Sequence, residues 1–247
     1  MKITLGWHKA LRNDLDILAV TYAHIGVEVQ RIESKTTDAV FHRDVMSWTP
    51  YGLVKCRMGK RSRRWEPDVW FTKMDLEPAL VIEAPGTFEG ADLLWMSNGL
   101  GVIGIGARTN WVGAMQLYHW LEMKGAVVAV VELPRDHDQH LLGVFNELGG
   151  QAFSYTSCYE LFQYFDPTCL PDDERDQKGV NWVEFKEYAI VNRACIHAVV
   201  AATHFKTVIP LQIPQLLAHG GGIACATGIY HQTIGAPNGK IHPRLVC

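Results

Sequence analysis

Asp92-Leu93-Leu94-Trp95-Met96-Ser97-Asn98-Gly99-Leu100-Gly101-Val102-Ile103-Gly104-Ile105 contains two short apolar runs on either side of Asn98-Gly99. That dipeptide tolerates positive φ and favours a tight hairpin turn, so the two runs read as an antiparallel pair. Downstream, Thr109 or Asn110 offers a side-chain oxygen to the first free amides of a helix. The helix is expected to place Trp111, Ala114, Met115, Tyr118 and Leu121 on its apolar side and to end at Gly125. Residues 126–133 form an apolar run of strand length. Upstream, residues 79–83 are a further strand candidate, and Pro85-Gly86-Thr87 marks a turn. Strand, strand, helix and strand therefore follow one another within one stretch of an α/β protein.

The same reading extends outward. Leu11, Leu15, Leu18, Ala19 and Tyr22 recur at helical spacing before Gly26, and residues 27–32 alternate like a strand. Residues 141–145 are expected as a strand and 159–165 as a short helix. Residues 181–204 fit either a helix or a strand, and residues 207–211 read as a strand leading towards Gly220-Gly221-Gly222. The basic run at 58–66 and the acidic run at 171–176 are expected as solvated loops. Their cores, 60–64 and 171–178, are the candidate lid segments. No Pro/Ser-rich linker divides the chain, which implies one domain spanning 1–247.

Composition narrows the classes of function. With 247 residues, 48% hydrophobic and 20% charged, the chain has the make-up of an ordinary globular protein. A net charge of −3 and a pI near 6.4 argue against nucleic acid or an acidic membrane surface as partner. The six cysteines form no CxxC pair, a pattern of free thiols in a reducing compartment. The N-terminus lacks the apolar run of a signal peptide, and no run of 18 apolar residues occurs, so a cytoplasmic protein is expected. His197 with His204, and His219 with His231, match no common ligand spacing, so neither metal nor cofactor is expected.

Cys225 stands out because a glycine run precedes it. Glycines bend freely and leave room for a ligand, and a thiolate is a strong nucleophile. Taken alone, a cysteine is more often a small buried hydrophobe. Three further segments stand before it in the chain: Phe88-Glu89-Gly90-Ala91-Asp92, then Ile103-Gly104-Ile105-Gly106-Ala107-Arg108-Thr109-Asn110, then His140-Leu141-Leu142-Gly143-Val144-Phe145. Each adjoins a strand candidate, a placement that brings polar side chains to strand ends.

In this order the four segments resemble the motifs of the guanidine-modifying superfamily. Its members are the arginine deiminases, dimethylarginine dimethylaminohydrolases and amidinotransferases of the pentein fold. Those enzymes carry Glu-Gly-Gly-Asp, Gly-(Ile/Leu)-Ser-x-Arg-Thr, His-Leu-Asp or His-Leu-Lys, and a glycine run before a nucleophilic cysteine. The resemblance spans residues 68–228 and implies a pentein α/β-propeller, a ring of ββαβ units around a pseudo-fivefold axis. It implies Cys225 as nucleophile, His140 as general acid and then base, and Glu89 as the carboxylate that orients His140 and binds substrate N–H groups. Arg108 would clamp a substrate carboxylate, and Asp92 would either sit near that clamp or cap a turn.

Two departures bear on the substrate. The aspartate that follows the catalytic His-Leu in arginine deiminases is Leu142 here. The aspartate after the family's Phe-Thr-Arg segment is sought in Phe71-Thr72-Lys73-Met74-Asp75, one position late, which leaves Asp75 a weak substitute. Each lost charge-assisted hydrogen bond costs roughly 1.5–3 kcal/mol, which disfavours unmodified arginine. The implied activity is hydrolysis of a C–N bond in a small guanidino or amidino substrate, with an N-alkylated arginine derivative suited to Leu142. An amidinotransferase and a non-catalytic pentein binding protein are the alternatives, and homo-oligomer formation is left open.

Overall fold

The computed structural model describes residues 1–134 and 140–231. The polar run before His140 and the thiol of Cys247 lie outside the described residues. The described chain forms five three-stranded sheets built to one plan. In the third sheet, β6 (Leu93–Trp95) pairs antiparallel with β7 (Leu100–Ile105), and β7 pairs parallel with β8 (Val127–Glu132). Helix α3 (Trp111–Met123) makes the crossover that a parallel pair needs.

The second sheet repeats the plan with β3 (Met46–Thr49), β4 (Gly52–Lys55), α2 (Glu66–Met74) and β5 (Leu80–Val81). The fourth does so with β9 (Phe145–Leu148), β10 (Gln151–Tyr155), α4 (Tyr159–Phe162) and β11 (Thr168–Leu170). The fifth uses β12 (Val183–Phe185), β13 (Tyr188–Asn192), α5 (Ile196–Thr203) and β14 (Thr207–Leu211). The first sheet is divided along the chain. Its central strand β1 (Lys2–Trp7) runs through α1 (Arg12–His24) to the parallel β2 (Glu28–Glu33), and its antiparallel partner is the late strand β15 (Thr227–His231). Central strands are buried along most of their length, which explains why β7 reads as a continuous apolar run.

Packing gathers the chain into two compact units. Met1–Arg43 and the described residues 142–231 form one, and Asp44–Leu141 form the other. The first contains Phe145 stacked on Phe162, and Phe153 edge-on to Trp182. In the second, Phe88, Leu93, Ile103, Leu117 and Leu121 share one apolar core. No helix among the described residues is long and apolar enough to cross a membrane.

The module first read from sequence is fixed by local chemistry. Gly99 takes φ +86°, and Asn98 Oδ1 accepts from Leu100 N at 3.0 Å to close the hairpin. Asn110 caps α3, its Oδ1 accepting from Gly113 N at 2.8 Å and from Thr87 N at 2.9 Å. The buried stripe of α3 is Gly113, Ala114, Leu117 and Leu121, with Met115 and Tyr118 partly buried beside it; of the expected apolar positions, Trp111 is the outlier at 63% exposure.

Other expectations need correction. Residues Leu141–Gly143 form a 3-10 turn, and the strand begins only at Phe145. Helix α6 (Pro214–Ala218) intervenes between β14 and the glycine run. Neither charged segment is a plain solvated loop. Arg61–Arg63 form a 3-10 turn that buries Arg63. Glu174, on the turn Asp172–Glu174, is buried and accepts from His197 N at 2.6 Å and Ala198 N at 3.0 Å, capping α5.

Gly113 is a glycine inside a helix, at odds with propensity. A Cβ there would lie 2.1 Å from the Thr87 carbonyl oxygen. Gly113→Ala is expected to destabilise the protein by about 1–3 kcal/mol through that overlap, despite alanine's better helix propensity. Urea unfolding measures it, and an unchanged or raised midpoint would refute the close approach.

Candidate active site

The Asp44–Leu141 unit assembles a buried acid–base cluster. An isolated bridge between Arg57 and Phe88, with N···O distances of 3.1 and 2.9 Å, fixes the backbone just before Glu89. Glu89 N donates to Thr109 Oγ1 at 3.1 Å, and Thr109 Oγ1 donates to Asp92 Oδ2 at 2.6 Å. Asp92 Oδ1 accepts from Leu141 N at 2.8 Å. This relay runs from the backbone of Glu89 to the residue after His140 and sets both ends of the functional pair.

That pair is Glu89 and His140, with Oε2 and Nε2 2.8 Å apart. The other carboxylate oxygen of Glu89 accepts from Gly59 N at 2.9 Å and Lys60 N at 3.4 Å. On the far side of the imidazole, Nδ1 lies 3.8 Å from Asp44 Oδ1. Asp44 Oδ2 accepts from Arg63 Nη1 at 2.7 Å. Arg63 also donates from Nε and Nη2 to Glu66, at 3.0 and 2.8 Å. Among the described residues, Asp44 Oδ1 is the buried side-chain oxygen without a hydrogen-bond partner.

These contacts set the protonation states. Burial alone would push the His140 pKa down, but Asp44, Asp92 and Glu89 outweigh it and carry it up to about 10. Burial opposes the charged form of Glu89 too, yet the bond and charge of His140, with Arg63 and Arg108, hold its carboxyl down at about 2. For Asp92, burial outweighs the charge of His140 and the hydrogen bonds from Thr109 and Leu141, and pushes its carboxyl up to about 7. Cys56, buried behind these carboxylates, has its thiol raised well above the usual range by burial and is poorly suited to nucleophilic work.

Oxygen and nitrogen atoms of Asp44, Glu89 and His140 lie within 4.8 Å of one another, a spacing that a metal ion would accept. The pairing disfavours one, because an imidazolium has no lone pair to donate and Glu89 Oε2 is committed to it.

The other unit holds Cys225, a half-buried free thiol on the short helix α7 (Ile223–Ala226). Asn181 Oδ1 accepts from Ala224 N at 2.9 Å and from Cys225 N at 3.3 Å. At the other end, Thr227 Oγ1 donates to Ile223 O at 2.8 Å and lies 2.7 Å from the buried Tyr22 hydroxyl. Of the three glycines before it, Gly220 takes a positive φ, +78°.

Of the residues expected from sequence, Glu89 and His140 meet. Asp92 is fully buried with both oxygens engaged by protein, which makes it a strut and removes it from substrate contact. Arg108 is half-buried and near enough to depress Glu89. Asp75 is an exposed C-cap of α2 in the left-handed conformation, φ +51°, and takes no part in the cluster. Leu142 is packed in the interior at 1% exposure and offers a ligand no surface.

Asp44, Arg63, Glu66 and Asn181 escape the sequence reading. A signal for Asp44 exists in Phe41-His42-Arg43-Asp44, which keeps the Phe-x-Arg-Asp order sought thirty residues too late around Phe71. Arg63 is hidden in a run of like charges.

His140 is expected to be an imidazolium at pH 7.5, with both ring nitrogens protonated and loss of the proton only towards pH 10. Its folded pKa exceeds the usual 6.5, so its contribution to stability is complete below 6.5 and is lost as pH rises through about 10. Ring nitrogen shifts measured by NMR test this. A neutral ring at pH 7.5 would contradict it, as would an alkaline decline in stability that persists undiminished in His140→Asn.

Comparison with known proteins gives consistent matches. Residues 34–157 match the family model described as arginine deiminase. An N(G),N(G)-dimethylarginine dimethylaminohydrolase of Pseudomonas aeruginosa is 32% identical over 213 residues, covering 85% of this chain and 83% of its own. Among solved structures, dimethylarginine dimethylaminohydrolase from Pseudomonas aeruginosa complexed with citrulline superposes with a TM-score of 0.82 at 20% identity, over 92% of this chain and 97% of the other. The substrate-bound N-terminal domain of ArgZ, a cyanobacterial arginine dihydrolase, gives 0.78 at 14% identity, over 92% and 96%. Those two likenesses establish a shared fold.

Proposed function

The chain belongs to the family of arginine deiminases and dimethylarginine dimethylaminohydrolases and has its pentein α/β-propeller fold, and on that premise we propose that it hydrolyses a C–N bond of an N-alkylated arginine through Cys225. The observation that supports this most is the buried Glu89–His140 pair beside an Asp44 oxygen left without a hydrogen-bond partner. A guanidinium carbon is a poor electrophile because its charge is delocalised. Attack on it requires a thiolate, a held cation and a proton for the departing amine.

In this reading Asp44 takes the role that the sequence assigned to Asp75 and accepts from a guanidinium N–H through Oδ1. The thiolate of Cys225 attacks the central carbon and a C–S bond forms. The C–N bond to the alkylated nitrogen breaks as that nitrogen takes the proton from His140 and leaves as an amine. Water then adds to the S-alkylthiouronium carbon and gives a proton to His140. The C–S bond breaks as the remaining hydroxyl proton passes to solvent, which releases the ureido product and restores the thiolate. From dimethylarginine the products are citrulline and dimethylamine.

Electrostatics support both halves of the cycle. The carboxyl groups of Asp44, Glu66, Glu89 and Asp92 outnumber the cations of Arg63 and His140 in the cluster, which favours a cationic substrate. A guanidinium beside Asp44 cancels one of the charges that hold the imidazole proton. His140 is then a stronger acid when the substrate is bound than when the site is free. Arg108 serves as the partner of a substrate carboxylate. The free thiols of Cys56, Cys158, Cys169, Cys195 and Cys225 support a reducing, cytoplasmic setting.

The test incubates wild type and Cys225→Ser with arginine, methylated arginines, agmatine and simpler guanidines, with and without glycine, and reads products by mass spectrometry. Ureido product and free amine from wild type alone are expected. An amidino group on glycine would make the chain an amidinotransferase, and turnover by Cys225→Ser would remove the nucleophile. Asp44→Asn is expected to lower kcat/KM by about 10–100-fold, the loss of one charge-assisted hydrogen bond, whereas Asp75→Asn leaves it unchanged.

A further inference from the structure

Asn181 lies far from Cys225 in sequence and is 2% exposed. Its side-chain amide is used at both ends. Oδ1 accepts from Ala224 N at 2.9 Å and Cys225 N at 3.3 Å, and Nδ2 donates to Leu142 O at 2.9 Å. The residue's own carbonyl also accepts from Ala224 N at 3.2 Å. Helix α7 has only four residues and no side-chain cap from its own Gly222, so Asn181 supplies the cap from outside.

The glycine before the helix fits this arrangement. Gly222 has φ −128°, which any residue adopts, so backbone conformation does not require glycine there. Space does. A Cβ at 222 would lie 2.4 Å from Asn181 Oδ1 and 3.0 Å from its Cγ. The last glycine of the run is thus the imprint of the Asn181 amide.

We propose that Asn181 is the positioning residue for the nucleophile, fixing the backbone of Cys225 against the carbonyl of Leu142 so that the thiol is presented in one orientation. This rests on Cys225 being the nucleophile. Only an amide of this length meets the requirement. It needs an acceptor for two backbone N–H groups and a donor for a carbonyl on one rigid plane. Aspartate keeps the shape but sets a carboxylate oxygen against Leu142 O and adds a negative charge beside the thiol. Alanine removes all three side-chain bonds.

The experiment compares wild type, Asn181→Asp, Asn181→Ala and Cys225→Ser. Dimethylarginine turnover is read as citrulline, and the pH profile of iodoacetamide labelling is read on the Cys225 peptide by mass spectrometry. Both Asn181 variants are expected to lose about 100-fold in kcat with KM changed less than about 3-fold, the signature of a misplaced reacting group. Asn181→Asp is also expected to shift the labelling midpoint of Cys225 to higher pH. Folded variants with wild-type kcat and a wild-type labelling profile would overturn the proposal, whatever their melting temperatures. Should Asn181→Ala fail to fold, the near-isosteric Asn181→Asp decides. Labelling needs no substrate, so a wild type silent on dimethylarginine counts against the functional reading while the labelling profile still judges Asn181. Full turnover by Cys225→Ser removes the premise and the proposal together.

Discussion

The bond between Glu89 and His140 is the constraint around which the Asp44–Leu141 unit is organised. A carboxylate at 1% exposure loses nearly all of its hydration, at a cost of several kcal/mol if nothing replaces it. Here the replacement is complete. One oxygen faces an imidazolium, and the other takes two backbone amides of the Gly59-Lys60 segment. The Arg57–Phe88 bridge, the Thr109 hydroxyl and the buried Asp92 hold the two partners in place. Removing either partner would strand a buried charge, a loss of about 3–5 kcal/mol in comparable pairs. Arg63 does for Asp44 what the amides do for Glu89, but for one oxygen only; the other faces His140 Nδ1 at 3.8 Å without a hydrogen bond.

The two units hold their reactive groups by different physics. Charge and desolvation fix the histidine, so its environment is sensitive to pH and to the charge of whatever binds. The cysteine is fixed through its backbone, by neutral hydrogen bonds at both ends of a four-residue helix. Such a seat sets direction. The bonds that engage Ala224 N and Cys225 N also withdraw those amides from the thiol.

Much of the architecture was legible because its determinants are local. Asn98-Gly99 is a turn by its own dihedral preferences, and Asn110 caps its helix by reaching an amide three residues on. Glu89, His140 and Cys225 stand in short motifs whose order survives in the chain. What escaped depends on distant partners. Arg63 reads as solvated until Asp44 and Glu66 close around it, and Glu174 reads as part of an acidic loop until α5 presents its amides. Asp75 attracted attention through a neighbouring Phe-Thr pair, while the carboxylate that joins the buried cluster, Asp44, followed a less familiar Phe-His-Arg. Leu142 invited a substrate role by position in a motif, but the 3-10 turn folds it into the interior.

The split first sheet has a consequence for biosynthesis. Until Thr227–His231 are made and paired, the side of β1 away from β2 is an open apolar edge. Closing it also brings Thr227 to the Tyr22 hydroxyl and seats the helix that carries Cys225. Closing this sheet and mounting the thiol are therefore one event. A chain in which the sheet is still open exposes an aggregation-prone edge, and the helix that carries Cys225 lacks its Thr227 anchor.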